Sequence, residues 1–439
     1  MTLREVEGLG FDTRQVHAGQ FFDAEHRARI TPIYLSNGFL FEDFDDAYQR
    51  MAHGSEGYVY SRVSNPTNSV AEQRMASLDG GVAAVLTGSG QAAISSTILT
   101  LARAGDHVLA GPTLYEGTRS LFREQFAGLG IEFEFVDDHN RAEDWARRVR
   151  PNTKAFYAET IPNPRNQILD ISKVAQVAQA NGLPLIVDNT LATPYLLRPI
   201  EHGADIVLYS ASKLLTGHGA SIGGVIVDGG TFDWNANTSR FPQFQERAKS
   251  EEPRTYTEKH GASAFAAYAR SKIIASFGPS LSPFNTFLLL QGIETLSLRV
   301  AKHVENARIV AHWLEDRPEV VSVDYSGLES NEYHPLARRY LPQGEGSIFS
   351  FTLRGGRQAA EHLINHVRLF SRMTHIGDLR SLILHPATTT HAQLTSDELA
   401  EAGIGEGLVR LSIGVETPQD LLSDLEEGLR GIPGHAAAG

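Results

Sequence analysis

Lys213 is the side chain of this 439-residue sequence whose surroundings most suit covalent chemistry. It follows the apolar run DIVLYS (205–210) after Ser210, Ala211 and Ser212, and precedes LLTGHGASIGG with its four glycines. A lysine at a strand end is ordinarily a solvated surface group. Small residues on both sides instead let the backbone approach a bound group closely. A partly desolvated lysine is what attack on a carbonyl requires, because only the neutral amine is nucleophilic. Two other strand ends carry matching groups. LPLIVD (183–188) ends in Asp188, which either caps a helix or pairs with a pyridinium nitrogen, keeping a ring protonated as an electron sink. AAVL (83–86) leads through TGSGQAA (87–93) into a helical stretch, where the amides of Gly90 and Gln91 form an anion site. Gly88, Gly90 and Ala93 also fit the looser dinucleotide spacing. The acid expected after the second strand is missing, which counts against a nicotinamide-dependent dehydrogenase.

These groups need a frame that puts strand ends together, and an open parallel sheet does so, binding ligands beyond its carboxyl ends. Between about 70 and 230, short apolar runs alternate with amphipathic stretches. The runs are AAVL, HVLA (107–110), IEFEFV (131–136), KAFYAET (154–160), LPLIVD, DIVLYS and GGVIV (223–227). QAAISSTILTLARA and ISKVAQVAQANG read as helices, the latter stopped by Gly182. Residues 231–261 form a polar, charge-dense excursion, a functional or mobile element. One long helix is expected from Ser282 through LLLQGIETLSLRVAKHVENARIVAHWL. SIFSFTL (347–353) and LVRLSIG (408–414) read as strands of a smaller α+β domain, and the tail PGHAAAG as frayed. The expected organisation is an α/β protein: an arm (1–60), a mostly parallel large domain (61–280) and a C-terminal small domain (281–439).

Composition narrows the function. The net charge of −13, from 52 acidic and 39 basic side chains, argues against nucleic acid or an anionic membrane as partner. Without cysteine, disulfides, thiolate metal sites and cysteine nucleophiles are excluded. His218, His385 and His391 show no metal-ligand spacing; no metal is expected, and local hydrogen bonding is. The start MTLREVEGLGFDTRQVHAG lacks the apolar core of a signal peptide, and no apolar run spans a bilayer, so a cytoplasmic enzyme is expected.

The motifs YVYSRVSNPTN (58–68), TGSGQAA, AETIPNP (158–164), VDNT (187–190), SASKLLTGHG (210–219), SLILHPATTTHAQL (381–394) and VRLSIGVE (409–416), with the Tyr115 segment, resemble the Cys/Met-metabolism branch of the fold-type I pyridoxal-5′-phosphate (PLP) enzymes. The likeness covers nearly the whole chain. Within that branch it is most similar to the O-acetylhomoserine sulfhydrylases, through the 231–261 excursion, SPFNTFLLLQGIETLSLR and GDLRSLILHPATTTH. The resemblance implies γ-replacement of acetate on O-acetylhomoserine by sulfide or a small thiol, giving homocysteine in methionine and cysteine biosynthesis. O-succinylhomoserine sulfhydrylase, cystathionine γ-synthase and methionine γ-lyase are the alternatives in the same class. It further implies that Lys213 carries the Schiff base, Asp188 meets the pyridine nitrogen, and Tyr115 stacks on the ring and assists catalysis. Gly90, Gln91, Ser210 and Ser212 would bind the phosphate, joined by Tyr60 and Arg62 from a neighbouring subunit. Asn163 would meet the ring hydroxyl or the substrate, and Ser381 and Arg410 the substrate carboxylate. A shared site implies a dimer, assembled further into a tetramer. For Arg410 the residues add their own argument: a buried guanidinium without a carboxylate is costly, and a bidentate one relieves it. The chain departs from the family pattern at YLSNGFLF (34–41), at Glu116 where glycine is usual, and at Ser212 where threonine is common.

Overall fold

Seven apolar runs become the strands of one sheet: β1 (Ala83–Thr87), β2 (His107–Ala110), β3 (Glu132–Phe135), β4 (Thr153–Glu159), β5 (Leu185–Asp188), β6 (Ile206–Ser210) and β7 (Gly224–Asp228). The structure is a computed structural model and describes residues 1–53, 57–247 and 253–432. The strand order is β1-β7-β6-β5-β4-β2-β3. From β6 to β3 all neighbours are parallel, whereas β7 runs antiparallel to both β1 and β6. Burial on both faces explains the near-continuous apolar strands. Val187, Val207 and Tyr209 point into one core, and their sequence neighbours Ile186, Ile206 and Leu208 into the other.

Helices cover both faces. Those that matter for the site are α1 (Pro66–Asp79), α2 (Gly90–Leu101), α3 (Glu116–Ser120), α4 (Ile171–Ala180), α5 (Pro283–Ile293) and α6 (Leu296–Glu315). The single long helix expected from Ser282 is therefore two, interrupted at Glu294 and Thr295. The apolar pattern crosses the break, so it carries no sign of it. Packing explains the stop. Gly292 lies so close to the backbone that an added Cβ would stand 2.4 Å from the Leu215 carbonyl oxygen. Arg299, buried in α6, donates to the carbonyls of Gly292 (2.6 Å), Leu214 (2.9 Å) and Leu215 (3.2 Å). One guanidinium thus terminates α5 and fixes the turn just after Lys213.

A second sheet holds β8 (Val320–Asp324), β9 (Ile348–Leu353), β10 (Ser371–Arg372), β11 (Leu382–Leu384) and β12 (Leu408–Ser412) in the order β10-β11-β12-β9-β8. Phe349, Phe351, Val409 and Leu411 fill its core together with Ala307 and Val310 of α6. The start of α6, through Leu296, Val300 and Val304, belongs to the core of the large sheet. This helix therefore joins the two cores.

The 231–261 excursion is less polar in space than in sequence. Trp234, Phe241 and Phe244 are buried, with Trp234 stacked 5.8 Å from Phe265, and none of its described residues lines the main cavity. Residues 248–252 and the tail 433–439 lie outside the described residues. Among the described residues, no helix is long and apolar enough to cross a membrane.

Candidate active site

A cavity of about 790 Å³ opens at the carboxyl ends of β4, β5 and β6 and gathers Gly90, Gln91, Tyr115, Asn163, Asp188, Ser210, Ser212, Lys213 and Arg410 into its lining. One end of it is the turn into α2. Ser89 caps that helix, its hydroxyl accepting from the Ala92 amide at 3.1 Å. By helix geometry the first amides, of Gly90 and Gln91, have no acceptor within the helix. The turn is pressed against the sheet. A Cβ on Gly90 would stand 2.8 Å from Ser210 Cβ, and one on Gly224 2.1 Å from the Ser89 carbonyl oxygen. The Gln91 side-chain oxygen is buried without a partner. Ser210 extends this end, while the Ser212 hydroxyl exchanges hydrogen bonds with the backbone of Gly223, accepting at 3.1 Å and donating at 3.3 Å.

At the end of β5, Asp188 accepts from the Thr190 hydroxyl (2.5 Å) and amide (3.0 Å), and Thr190 in turn accepts from the Ser210 amide (2.8 Å). Parallel pairing of β4 and β5 sets Glu159 directly beside Asp188. Glu159 accepts from the Tyr115 amide at 2.7 Å. Burial raises the pKa of both carboxyls, and for Glu159 the adjacent Asp188 adds to it. A cationic ring nitrogen against Asp188 is the kind of partner this buried pair calls for.

Lys213 stands beyond β6 with its Nζ 3.2 Å from His375 Nδ1. Burial, and then the charge of Arg410, lower its pKa from 10.5 to about 8. Burial followed by Lys213 lowers that of His375 to about 4. The imidazole is therefore neutral, and among the described residues its buried Nε2 has no hydrogen-bond partner. Arg410, on β12, donates to Asn163 Oδ1 (3.0 Å) and to the carbonyls of Thr374 (3.1 Å) and His375 (3.2 Å). Among the described residues it meets neutral oxygens and forms no ion pair. Burial pulls its pKa down to about 10.

Three expected residues lie outside the cavity lining. Ser381 is a correction. It is fully buried, its hydroxyl donates to Glu416 Oε2 (2.9 Å) and accepts from the Gly414 amide (2.9 Å), and its amide bonds Glu416 Oε1 (2.6 Å). A hydroxyl held by an internal carboxylate has nothing left for a substrate; the segment 373–376 lines the cavity instead. Tyr60 and Arg62 sit exposed on the surface, the guanidinium 5.3 Å from the ring centroid. The histidines divide. His385 bonds Thr388 and the Glu406 carbonyl, His218 bonds the Thr216 carbonyl, and His391, bonded to the Thr390 hydroxyl at 2.9 Å, also lines the cavity.

Sequence reasoning passed over Thr190, Glu159 and His375. Thr190 was findable, being the hydroxyl two residues after a strand-end acid, an Asx-turn pattern. Glu159 ends an apolar strand just as Asp188 does. His375 comes from a loop of the other sheet, and nothing local marks it.

The donor set fits PLP: free helix-start amides for a phosphate, a buried acid for the ring nitrogen, and a lysine poised near neutrality. Comparisons with known proteins agree. A family model described as Cys/Met metabolism PLP-dependent enzyme matches residues 12–430. A homocysteine synthase of Schizosaccharomyces pombe is 44% identical over 427 residues, 97% of this chain and 99% of its own. An O-acetyl-L-homoserine sulfhydrylase of Corynebacterium glutamicum is 44% identical over 426 residues, 96% and 97% of the two chains. Among solved structures, a Campylobacter jejuni chain assigned as an O-acetylhomoserine (thiol)-lyase superposes with a TM-score of 0.92 at 35% identity, covering 96% of this chain and 99% of that one. That crystal structure carries N′-pyridoxyl-lysine-5′-monophosphate.

Proposed function

Because the chain belongs to the Cys/Met metabolism PLP-dependent enzyme family, we propose that it replaces the acetate of O-acetyl-L-homoserine with sulfide, giving L-homocysteine for methionine and cysteine biosynthesis. The observation that carries this reading is Arg410, a buried guanidinium that, among the described residues, meets only neutral oxygens in the same cavity as Lys213. An amino-acid carboxylate supplies the missing charge and, held bidentately, orients Cα.

PLP, when bound, supplies the electron sink that makes a Cα proton removable. The amides of Gly90 and Gln91 with Ser210 would hold its phosphate, Asp188 would keep its ring nitrogen protonated, and Tyr115 would cover its ring. Arg410, itself fixed by Asn163, binds the substrate carboxylate. Lys213, as the neutral amine, takes the proton from Cα, passes it on, and, neutral again, takes one from Cβ as acetate leaves Cγ. Sulfide adds at Cγ, and Lys213 returns one proton to Cβ and, in a separate transfer, one to Cα. A base that must also act as acid works best with a pKa near the working pH, and about 8 suits both roles.

Tyr60 and Arg62 serve the phosphate of a neighbouring subunit, in a dimer that pairs into a tetramer. Support comes from the arm, which exposes Phe22, Leu35, Leu40, Phe44 and Met51 to solvent, with Leu40 94% exposed. Apolar side chains so concentrated call for a covering surface. The enzyme works in the cytoplasm. The test supplies O-acetylhomoserine, O-succinylhomoserine and methionine separately, with and without sulfide, and measures homocysteine and 2-oxobutyrate. Homocysteine from the acetyl ester with sulfide is the expected result; its absence overturns the reading.

A further inference from the structure

The main cavity borders a second one of about 510 Å³, and Glu116, Asn163 and His391 line both. Asn163 is the residue bonded to Arg410, so the second cavity opens beside the guanidinium that takes the substrate carboxylate. An acyl end that runs from Arg410 and Lys213 toward the second cavity would pass Glu116, which lines both.

The charges around that mouth are unequal. Among the described residues lining the main cavity, only Lys213 and Arg410 are cationic, since His375 and His391 are both pulled down to about 4 by burial. Both cations are committed, one to proton transfer and one to the α-carboxylate. A further guanidinium, Arg119, lines the second cavity. It is already occupied: Glu116 lies 3.6 Å from its Nε, the Pro112 carbonyl accepts from it, and its guanidinium stacks 5.3 Å from the Phe135 centroid. Arg123 stacks on the same ring at 5.2 Å. The third guanidinium of that cavity, Arg165, is paired with Asp324 at 2.8 Å, so an acyl group ending in a second carboxylate would reach cations already engaged by acids or rings, and would meet the Glu116 carboxylate beside them. A neutral acetyl group has no such conflict.

We infer that Glu116 determines acyl specificity: its carboxylate holds Arg119 and excludes esters whose acyl group ends in a second carboxylate. The inference rests on the γ-replacement reading and names the substrate class within it. Glu116 acts at the acyl end and takes no part in the proton transfers.

The experiment measures kcat and KM of the holoenzyme with O-acetylhomoserine and O-succinylhomoserine, sulfide being the nucleophile, for wild type, Glu116→Gln, Glu116→Gly and Glu116→Asp. Removing one like charge from a partly buried wall raises the succinyl-to-acetyl ratio of kcat/KM by about tenfold or more in the Gln and Gly variants. The change falls mainly on the KM of the succinyl ester and weakens with added salt. Glu116→Asp, which keeps the charge, retains the discrimination. In Glu116→Gln combined with Arg119→Gln, part of the gain is lost, because the released guanidinium is gone. An unchanged ratio in both Gln and Gly variants that still hold cofactor and consume the acetyl ester overturns the inference alone. So does a wild type that uses both esters equally. A wild type that makes homocysteine from neither ester overturns the γ-replacement reading and the inference with it.

Discussion

The strand wall of the main cavity and its loop wall are held by different means. Glu159, Asp188 and Ser210 end three adjacent strands, and their relative positions follow from backbone pairing: Glu159 opposite Asp188, Asp188 opposite Leu208. The opposite wall is assembled from the short helix α3, the segment 373–376 and residues 390–391. There Tyr115 and Met373 are about half exposed, at 51% and 48%, and the guanidinium of Arg410, whose backbone is paired within β12, is anchored to Asn163 and to carbonyls of the 374–375 loop. Buried like charges need partners placed within tenths of an ångström, and a sheet supplies that without loops having to order. Discrimination between acyl groups needs only one side chain at the mouth, which a loop supplies and can change without disturbing the cofactor end. The departure from the family pattern at Glu116 falls on the loop wall.

Substitutions on the two walls should therefore fail differently. The largest effect belongs to Lys213→Ala, which removes the base: turnover falls by about 10³-fold or more. The visible absorbance of the cofactor–lysine adduct disappears, although the purified protein still retains PLP through the other contacts. A variant that keeps substantial turnover would break the division, because the strand wall would not hold the chemistry. Arg410→Ala comes next. Loss of a charge-assisted bidentate contact raises the KM of the ester by about a hundredfold, with the cofactor spectrum retained. A loss confined to kcat, or loss of the cofactor, would mean that Arg410 belongs functionally to the strand wall.

The smallest effect joins the two walls. In cofactor-free protein, Lys213 should react with an amine-selective reagent as the neutral amine, so labelling rises with pH through a midpoint at about 8 rather than at the ordinary 10.5. Burial causes most of that depression and the Arg410 charge the remainder. Arg410→Ala therefore moves the midpoint upward, and His375, neutral throughout this range, adds no second step. A midpoint that stays at 10.5 in the wild type would show that Lys213 is solvated.

Much of the strand wall was legible because its information is local. A strand ends where its apolar run ends, alternation assigns its faces, and parallel order brings the ends together. Lys213, Asp188 and the Gly90–Gln91 turn each announced themselves by residue type at such an end. Arg410 was legible for another reason, the cost of burying a guanidinium in an apolar strand. Ser381 came from the family resemblance and not from its own spacing, and its capture by Glu416, 35 residues on, leaves no trace in local spacing. The helix break at Glu294 was hidden for the same reason: the carbonyls that Arg299 caps come from α5 and from the turn after Lys213.

By itself, the sequence determined the strands, the chemical identity of the groups at their ends and the anion site at the start of α2, since these depend on periodicity and helix polarity within a few residues. Only the tertiary structure decided that His375 meets Lys213, that Arg410 is left without an anionic partner, and that Glu116 stands between two cavities. Those relations join segments as much as 247 residues apart. They are set by how two cores pack along α6, a matter on which local spacing is silent.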